Sequence, residues 1–229
     1  MGHVTLLVAT GLRREARLIA GQGIIAIAGG GDADRLEREL DVLAGSATAL
    51  LSSGLAGALA PDLDVGDVVI GNACFGVDTA PSAFAGQLAR WLPEARLGLI
   101  AAGDMPTATA DEKQLLYART SALAVDMESH VVARVAARHG LPFAALRVIS
   151  DTADESLPPA ALAGMQPDGR VAIGPVIAAL ARNPRQLPGL VRTARNADKA
   201  LRTLGGLHDM LRGRGIGRLD PRQFALDVA

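Results

Sequence analysis

Short runs of branched apolar residues alternate with segments that repeat apolar residues at helical spacing. The runs at 4–10 and 23–29 are apolar and bounded by glycine, which is typical of strands buried on both faces. Segments 12–20 and 32–43 place their apolar residues every three or four positions, as an amphipathic helix does. The chain is therefore predicted to begin strand, helix, strand, helix.

The same alternation continues to about residue 151. It predicts strands at 49–53, 67–72, 97–102, 123–125 and 143–149, and helices at 81–92, 111–120 and 127–139. Such a sequence of elements is typical of an open α/β sheet with helices on both faces. Beyond Asp151 the chain is punctuated by six prolines, the third of them Pro167, and then forms a basic amphipathic helix at 190–211.

Composition describes a core-forming globular chain. Of 229 residues, 49% are hydrophobic and 21% charged, and the formal net charge of −1 provides no basic field for nucleic acid. Residues 170–229, however, hold eleven basic residues against four acidic ones. Two hypotheses for the C-terminal helix follow: it packs on the core with a solvated basic face, or it lies against anionic lipid.

Cysteine and histidine usage favours a reducing compartment. Cys74 is the single cysteine, so no intramolecular disulfide can form, and no Cys/His cluster has zinc-ligand spacing. The first residues lack the pattern of a signal peptide, and the longest uncharged stretch, 42–61, is too weakly hydrophobic for a spanning helix. We expect a cytoplasmic protein without cofactor or metal.

Three successive glycines, 29–31, lie between a predicted strand and a predicted helix. They suggest a dinucleotide turn, but the full Gly-x-Gly-x-x-Gly pattern is absent because position 34 is Asp. The alternative is a sterically tight turn, and Asp32 and Asp34 near the helix start would repel a pyrophosphate.

Carboxylates follow two of the predicted strands. Glu128 and Asp151 come directly after strand ends, and the carboxyl ends of strands in such a sheet line the ligand crevice. Helix capping is the alternative for Asp126 and for Asp151. Two carboxylates with different tasks suit cleavage of a glycosidic bond, in which one protonates the leaving group and the other handles the sugar.

Three ordered motifs carry a family resemblance. The runs 125–129 (VDMES), 147–151 (RVISD) and 54–57 (GLAG) followed by 65–69 (VGDVV) resemble the purine nucleoside phosphorylase and methylthioadenosine/S-adenosylhomocysteine nucleosidase superfamily. The resemblance covers roughly residues 4–155. The Pro- and Arg-rich C-terminal portion, including 184–188, is more similar to the hopanoid-associated phosphorylase branch.

The resemblance implies a fold. It predicts one domain over 1–229, a three-layer α/β/α nucleoside phosphorylase-like fold with a central mixed twisted sheet, and a C-terminal helix at about 188–212.

The resemblance also implies the catalytic groups. Asp151 would be the general acid toward the purine, with Ser150 beside it. Glu128 would bind the ribose hydroxyls, and Met127 would pack on the sugar. Glu15 would orient the attacking water; the alternative for Glu15 is a solvated helix face shared with neighbouring arginines.

Further residues are expected to contact the substrate. The stretch from Asp104 to Thr107 matches the segment that reads the adenine edge, and Gly54 belongs to the glycine-rich turn of the site. Arg147 is either an anion ligand or the holder of a buried ion pair. Two positions depart from the family pattern: Leu55 replaces a serine, and Pro106 replaces an aromatic residue.

The implied activity is cleavage of the N-glycosidic bond of a 5′-substituted adenosine. The branch resemblance suggests adenosylhopane, with release of adenine in hopanoid biosynthesis, by water or with phosphate as co-substrate. The alternatives are a methylthioadenosine/S-adenosylhomocysteine nucleosidase and a non-catalytic nucleoside-binding protein. We further expect a homodimer that takes a small nucleoside or nucleoside-lipid substrate and binds no nucleic acid. Peripheral contact with the inner membrane is also expected.

Overall fold

The computed structural model of the protein describes residues 6–79, 83–164 and 172–219. Its strands are β1 (Leu6–Thr10), β2 (Ile24–Ala28), β3 (Ala49–Ala58), β4 (Val68–Cys74), β5 (Arg96–Ala102), β6 (Ala124–Asp126) and β7 (Phe143–Asp151). Its helices are α1 (Arg13–Ile19), α2 (Ala33–Ala44), α3 (Ala83–Trp91), α4 (Ala110–Thr120), α5 (Ser129–His139), α6 (Pro159–Ala163), α7 (Ile173–Arg182) and α8 (Leu187–Gly213).

The strands form one mixed sheet in the order β2-β1-β3-β6-β5-β4-β7. β6 runs antiparallel to β3 and β7 runs antiparallel to β4, whereas the other neighbours are parallel. The predicted α/β class with a central mixed sheet is confirmed. The expectation of an open sheet is wrong, because β7 also pairs with β3 and closes five strands into a ring.

The length of β3 makes this closure possible. Its first half pairs with β1 along one edge and with β7 along the other, and its last two residues, Gly57 and Ala58, pair with β6. The strand was predicted to end at Ser53, because the Gly/Ala-rich continuation has low intrinsic strand propensity. Pairing on both edges outweighs that propensity.

Helices cover both faces of the sheet, as predicted. On one face, Leu36 and Leu40 of α2 and Val131 and Val132 of α5 join the buried side chains of the strands. On the other face, α1, α3 and α8 contribute Ile19, Phe84, Leu88 and Leu211.

Residues 29–31 form the sterically tight turn. Gly30 and Gly31 have φ values of 66° and 83°, a region that disfavours side chains. Asp32 then caps α2 by accepting a hydrogen bond from the Arg35 amide at 2.9 Å. This segment is therefore a sterically tight turn between β2 and α2, and the dinucleotide-turn interpretation does not apply to it.

The C-terminal helix extends beyond the predicted 190–211, as α8. The helices α6 and α7 were not predicted, and Pro167 lies outside the described residues. In the described part of the chain, none of the helices combines the length and the hydrophobicity needed to cross a membrane.

Candidate active site

Two groups of charged side chains lie along the β3–β7 strand pair. The first surrounds Arg147, which pairs with Gly54, and the second surrounds Asp151, which pairs with Gly57 three residues further along β3. At about 3.3 Å per residue the two positions are separated by roughly 10 Å along the strand.

Glu15 lies in the first group, buried on α1. Its carboxylate accepts hydrogen bonds from the amide of Leu12 at 2.7 Å and from the amide of Leu55 at 2.9 Å. Only 2% of the residue is exposed, so the solvated-face alternative is wrong. Burial raises the pKa of Glu15 above its usual value, an effect that these amides and Arg147 oppose.

Glu128 also belongs to the first group, and it follows the end of β6. Its carboxylate lies 3.7 Å from Arg147 Nη1, and glycines make room for it. A Cβ at Gly11 would lie 3.0 Å from Glu128 Oε1, and one at Gly29 would lie 3.3 Å from Glu128 Cγ. Burial raises the pKa of Glu128 to about 8; Arg147 opposes this shift, and the carboxylates of Asp126 and Glu15 add to it.

Asp126 fixes the start of α5. Its Oδ1 accepts hydrogen bonds from the amides of Glu128 at 2.8 Å and Ser129 at 2.7 Å, and its Oδ2 accepts one from the Ser129 hydroxyl at 2.6 Å. Helix capping, the alternative for this residue, is therefore confirmed.

Arg147 is fully buried between these carboxylates. Its Nε lies 2.9 Å from Asp126 Oδ2, and its Nη2 donates to the hydroxyls of Ser52 and Ser129. Protein oxygens lie close to each guanidinium nitrogen, which favours the ion-pair alternative for Arg147. Its role as a substrate anion ligand stays a prediction.

Gly54 allows Glu15 and Arg147 to meet. A Cβ at this position would lie 3.0 Å from both Glu15 carboxylate oxygens and from Arg147 Nη1. The glycine predicted to line the substrate site therefore leaves room for two of the charged groups that form it.

Asp151 lies in the second group, at the end of β7. Ser150 Oγ donates to its Oδ1 at 2.8 Å, so the predicted neighbour is in place. Lys113 Nζ lies 2.5 Å from its Oδ2, and the lysine is fully buried. Sequence reasoning missed Lys113, because a lysine in the first turn of a polar helix reads as a solvated residue.

The remaining predicted residues lie outside the two charged groups. Asp104 is exposed in the loop after β5, where its carboxylate lies 2.9 Å from His130 Nε2. Thr107 is half-buried in the same loop. Met127 is half-buried, and its Cε would lie 3.5 Å from a Cβ at Gly31. Among the described residues, no hydrogen bond or ion pair joins Asp104 or Thr107 to the two charged groups.

The arrangement offers three carboxylates in two different environments. Glu15 and Glu128 are desolvated neighbours, and Asp151 is held by an ammonium and a hydroxyl. Carboxylates with separated environments are suited to separate acid, base and binding tasks.

Comparisons with known proteins relate part of this chain to one superfamily. Residues 83–173, which include Lys113, Glu128 and Asp151, match the family model of the phosphorylase superfamily. Over these residues the chain is similar to that superfamily. The match extends from α3 to the first residue of α7.

A curated relative is the aminodeoxyfutalosine nucleosidase of Helicobacter pylori strain J99. It is 31% identical over 139 residues, which cover 50% of this chain and 60% of the relative. The matched part of this chain thus spans less than two thirds of that protein.

Solved structures share the fold. The futalosine hydrolase of H. pylori strain 26695 has a TM-score of 0.63 at 19% identity, covering 93% of this chain and 98% of its own. The 5′-methylthioadenosine/S-adenosylhomocysteine nucleosidase of H. pylori, solved with a bound nucleoside analogue, has a TM-score of 0.59 at 20% identity, covering 91% and 99%. At these identities the likeness shows the fold.

Proposed function

We propose that this protein cleaves the N-glycosidic bond of a 5′-substituted adenosine and releases adenine. The observation that carries the proposal is the pair of buried carboxylates, Glu15 and Glu128, close to the Gly54–Arg147 pair of β3 and β7, with a third, Asp151, at the end of β7. The match of residues 83–173 to the phosphorylase superfamily model and the nucleosidase activity named for the curated relative support it.

Each carboxylate has a role that its surroundings suit. Glu15 receives the proton of the attacking water, since a raised pKa makes its carboxylate a stronger base. Glu128 binds the ribose hydroxyls, and Asp151 delivers a proton to the purine as the bond to C1′ breaks. The nucleoside lies along the β3–β7 pair, from Glu128 to Asp151.

Water is the proposed acceptor. Phosphate would need free cationic ligands, but Arg147 is engaged by protein oxygens, and Arg14 is exposed and lies 3.9 Å from Asp198. Phosphorolysis is the alternative that the assay below separates from hydrolysis.

The 5′ substituent is proposed to be apolar and bulky, with adenosylhopane as the first candidate. A surface on α7 and the start of α8 supports this choice. Four of its large apolar side chains are exposed, and residues 172–197 contain four arginines and no acidic residue. We name it the α7–α8 surface; it comprises Ile173, Ile177, Leu187, Val191, Arg182, Arg185 and Arg195.

An apolar surface surrounded by arginine is typical of protein segments that lie on anionic lipid. Ile173 and Ile177, and likewise Leu187 and Val191, are four residues apart, so each pair shares one helical face. We infer that the α7–α8 surface contacts the membrane in which a lipid-linked nucleoside would reside.

The test follows adenine release by chromatography. The substrates are adenosylhopane in detergent micelles, methylthioadenosine, S-adenosylhomocysteine and aminodeoxyfutalosine, each with and without phosphate. We expect phosphate-independent release, fastest from adenosylhopane. Asp151→Asn should lower turnover by several orders of magnitude with little loss of binding, and Asp62→Asn, an exposed carboxylate replaced in the same way, is its control.

The other outcomes are equally informative. Release that requires phosphate and yields a ribosyl phosphate would establish a phosphorylase. Faster release from a small soluble substrate would establish a conventional nucleosidase. Nucleoside binding without adenine release from any substrate would contradict the proposed activity and indicate a binding protein.

A further inference from the structure

Lysine is rare in this chain and one of its two lysines is buried. Among 23 basic residues, only Lys113 and Lys199 are lysines. Lys199 is exposed on α8, whereas Lys113 has no exposed surface. A buried ammonium is costly unless it is paired and fully hydrogen-bonded, so the position requires an explanation.

The Lys113 ammonium meets three acceptors at the end of β7. It lies 2.5 Å from Asp151 Oδ2, 2.7 Å from the Thr152 carbonyl and 2.9 Å from the Glu155 carbonyl. These three contacts use all three donors of an ammonium group. Lys113 therefore fixes both the direction of the Asp151 carboxylate and the loop that follows it.

Neighbouring residues place the lysine there. Thr109 Oγ1 accepts from the Glu112 amide at 3.2 Å and the Glu112 carboxylate accepts from the Thr109 amide at 2.9 Å, which fixes the start of α4 three residues before Lys113. At Gly57, a Cβ would lie 2.8 Å from Asp151 Oδ2 and 3.5 Å from Lys113 Cε. The ion pair occupies space that only a glycine in β3 leaves free.

The choice of lysine has a chemical consequence. Arginine serves at most basic positions of this chain, including the buried Arg147, and its guanidinium does not release a proton in proteins. A buried lysine can exist as a neutral amine and can therefore pass on a proton. Lys113 touches the carboxylate that the proposed reaction requires to act as an acid.

We propose that Lys113 is a positioning residue that orients Asp151 and supplies it with the proton taken up by the leaving purine. This inference rests on the proposed function. One ammonium proton moves to Asp151 Oδ2, and the carboxyl group passes it to purine N7 while the electron pair of the C1′–N9 bond goes to the purine. The hydroxyl of water bonds to C1′ and its proton goes to Glu15.

After the step, Lys113 is a neutral amine, Glu15 is protonated and the released adenine is neutral. Transfer of the proton from Glu15 back to Lys113 through solvent restores the starting state. The reaction needs no further reactant besides water.

The experiment compares two leaving groups. Adenine needs protonation to depart, whereas the 4-nitrophenolate of 4-nitrophenyl β-D-ribofuranoside departs without it. The variants are Lys113→Gln, which keeps hydrogen-bonding atoms but has no proton to pass on, and Lys113→Arg, which keeps the charge. Lys199→Gln is the matched exposed control, and Asp151→Asn supplies a background for a double-mutant cycle.

We expect Lys113→Gln to lower kcat for adenine release by about 10²- to 10⁴-fold with a small change in KM, and to slow 4-nitrophenolate release less than tenfold. Lys113→Arg should not restore kcat, and Lys199→Gln should match the wild type. In the Asp151→Asn background, Lys113→Gln should cause no further loss, because both residues act in one proton path.

Two results would overturn the inference: equal losses on both leaving groups, which indicate a purely structural lysine, or wild-type adenine release by Lys113→Gln. Failure of the proposed function is distinguishable from these results, because the wild-type protein itself would then release no base from any nucleoside.

Discussion

At the scale of single residues, Glu128 combines a desolvated carboxyl group with a neighbouring guanidinium. Burial raises its pKa to about 8, with Arg147 opposing the shift, so the unliganded group is largely protonated at pH 7. A carboxylate accepts hydrogen bonds from both ribose hydroxyls better than a carboxyl group does. The protonation state of Glu128 should therefore control sugar binding.

We predict that Glu128→Gln lowers kcat/KM for the nucleoside by about 10- to 100-fold, because it weakens a charge-assisted contact to the sugar. Nucleoside affinity of the wild type should increase as the pH rises from 7 to 9, since the carboxylate form becomes populated, and Glu128→Gln should lose this dependence. Initial rates measure kcat/KM, and calorimetric titration with a non-cleavable nucleoside analogue at several pH values measures the affinity. Glu39→Gln, on an exposed face of α2, is the control, and normal kinetics in Glu128→Gln would remove Glu128 from sugar binding.

At the scale of secondary-structure elements, a buried hydrogen bond joins α8 to β3. Ser53 Oγ lies 2.8 Å from His208 Nε2, and both residues have no exposed surface. Burial lowers the pKa of His208 to about 4; Arg212 adds to this shift and Asp209 opposes it. The neutral imidazole is therefore the form that the folded protein accommodates.

We predict an acid-sensitive contribution of His208 to stability. In the unfolded chain this histidine titrates near 6.5, so lowering the pH from 6.5 to 4 protonates the unfolded state first and reduces the free energy of unfolding. The loss should reach about 3 kcal/mol at pH 4 and be absent above pH 7. Urea denaturation at pH 7 and pH 4.5 measures it.

The control for this prediction is a histidine that is accessible to solvent. His208→Gln should reduce the pH dependence between pH 7 and 4.5, whereas His139→Gln, at a half-buried pair with Asp41, should keep it. An unchanged slope in His208→Gln would assign the acid sensitivity to other groups.

At the scale of the whole molecule, four exposed apolar side chains cluster on α7 and the start of α8. Ile173, Ile177, Leu187 and Val191 lie within 19 positions, while other exposed apolar residues, such as Val42, are scattered. Arg192 is neutralised by Glu155 at 3.0 Å, which leaves three exposed arginines within the α7–α8 surface. Apolar and cationic groups thus occur together there.

We predict that the protein co-sediments with vesicles that contain phosphatidylglycerol and not with vesicles of phosphatidylcholine alone. Each arginine near an anionic surface contributes about 1 kcal/mol, so added salt should release the protein. Ile173→Asp with Ile177→Asp should abolish vesicle binding, and Val42→Asp, at a side chain with 83% exposure, should not.

Sedimentation without lipid distinguishes a second copy of the chain from the membrane. If Ile173→Asp with Ile177→Asp converts a dimer to a monomer and leaves vesicle binding unaffected, the α7–α8 surface is an interface between subunits. That result would contradict the lipid assignment.

Sequence reasoning succeeded where a residue's role depends on its immediate neighbours. The apolar runs located all seven described strands. The expectation that the run at 23–29 is buried on both faces is wrong, because β2 lies at the edge of the sheet and Ile25 is exposed. Asp126 could be recognised as a helix cap and Ser150 as the partner of Asp151, since both act within three residues. The short helices α6 and α7 were missed, because prolines and glycines interrupt their apolar pattern.

Local sequence patterns are sufficient to predict the order of elements through β7, the strand ends that carry Glu128 and Asp151, and the basic C-terminal helix. The closure of the sheet through β3 and the burial of Glu15 and Lys113 depend on the tertiary structure. The physical reason is distance along the chain: Lys113 meets Asp151 38 residues away, and Glu15 meets the Leu55 amide 40 residues away. Periodicity reports whether a segment is buried, whereas pairing across the sheet selects which charged groups are buried together.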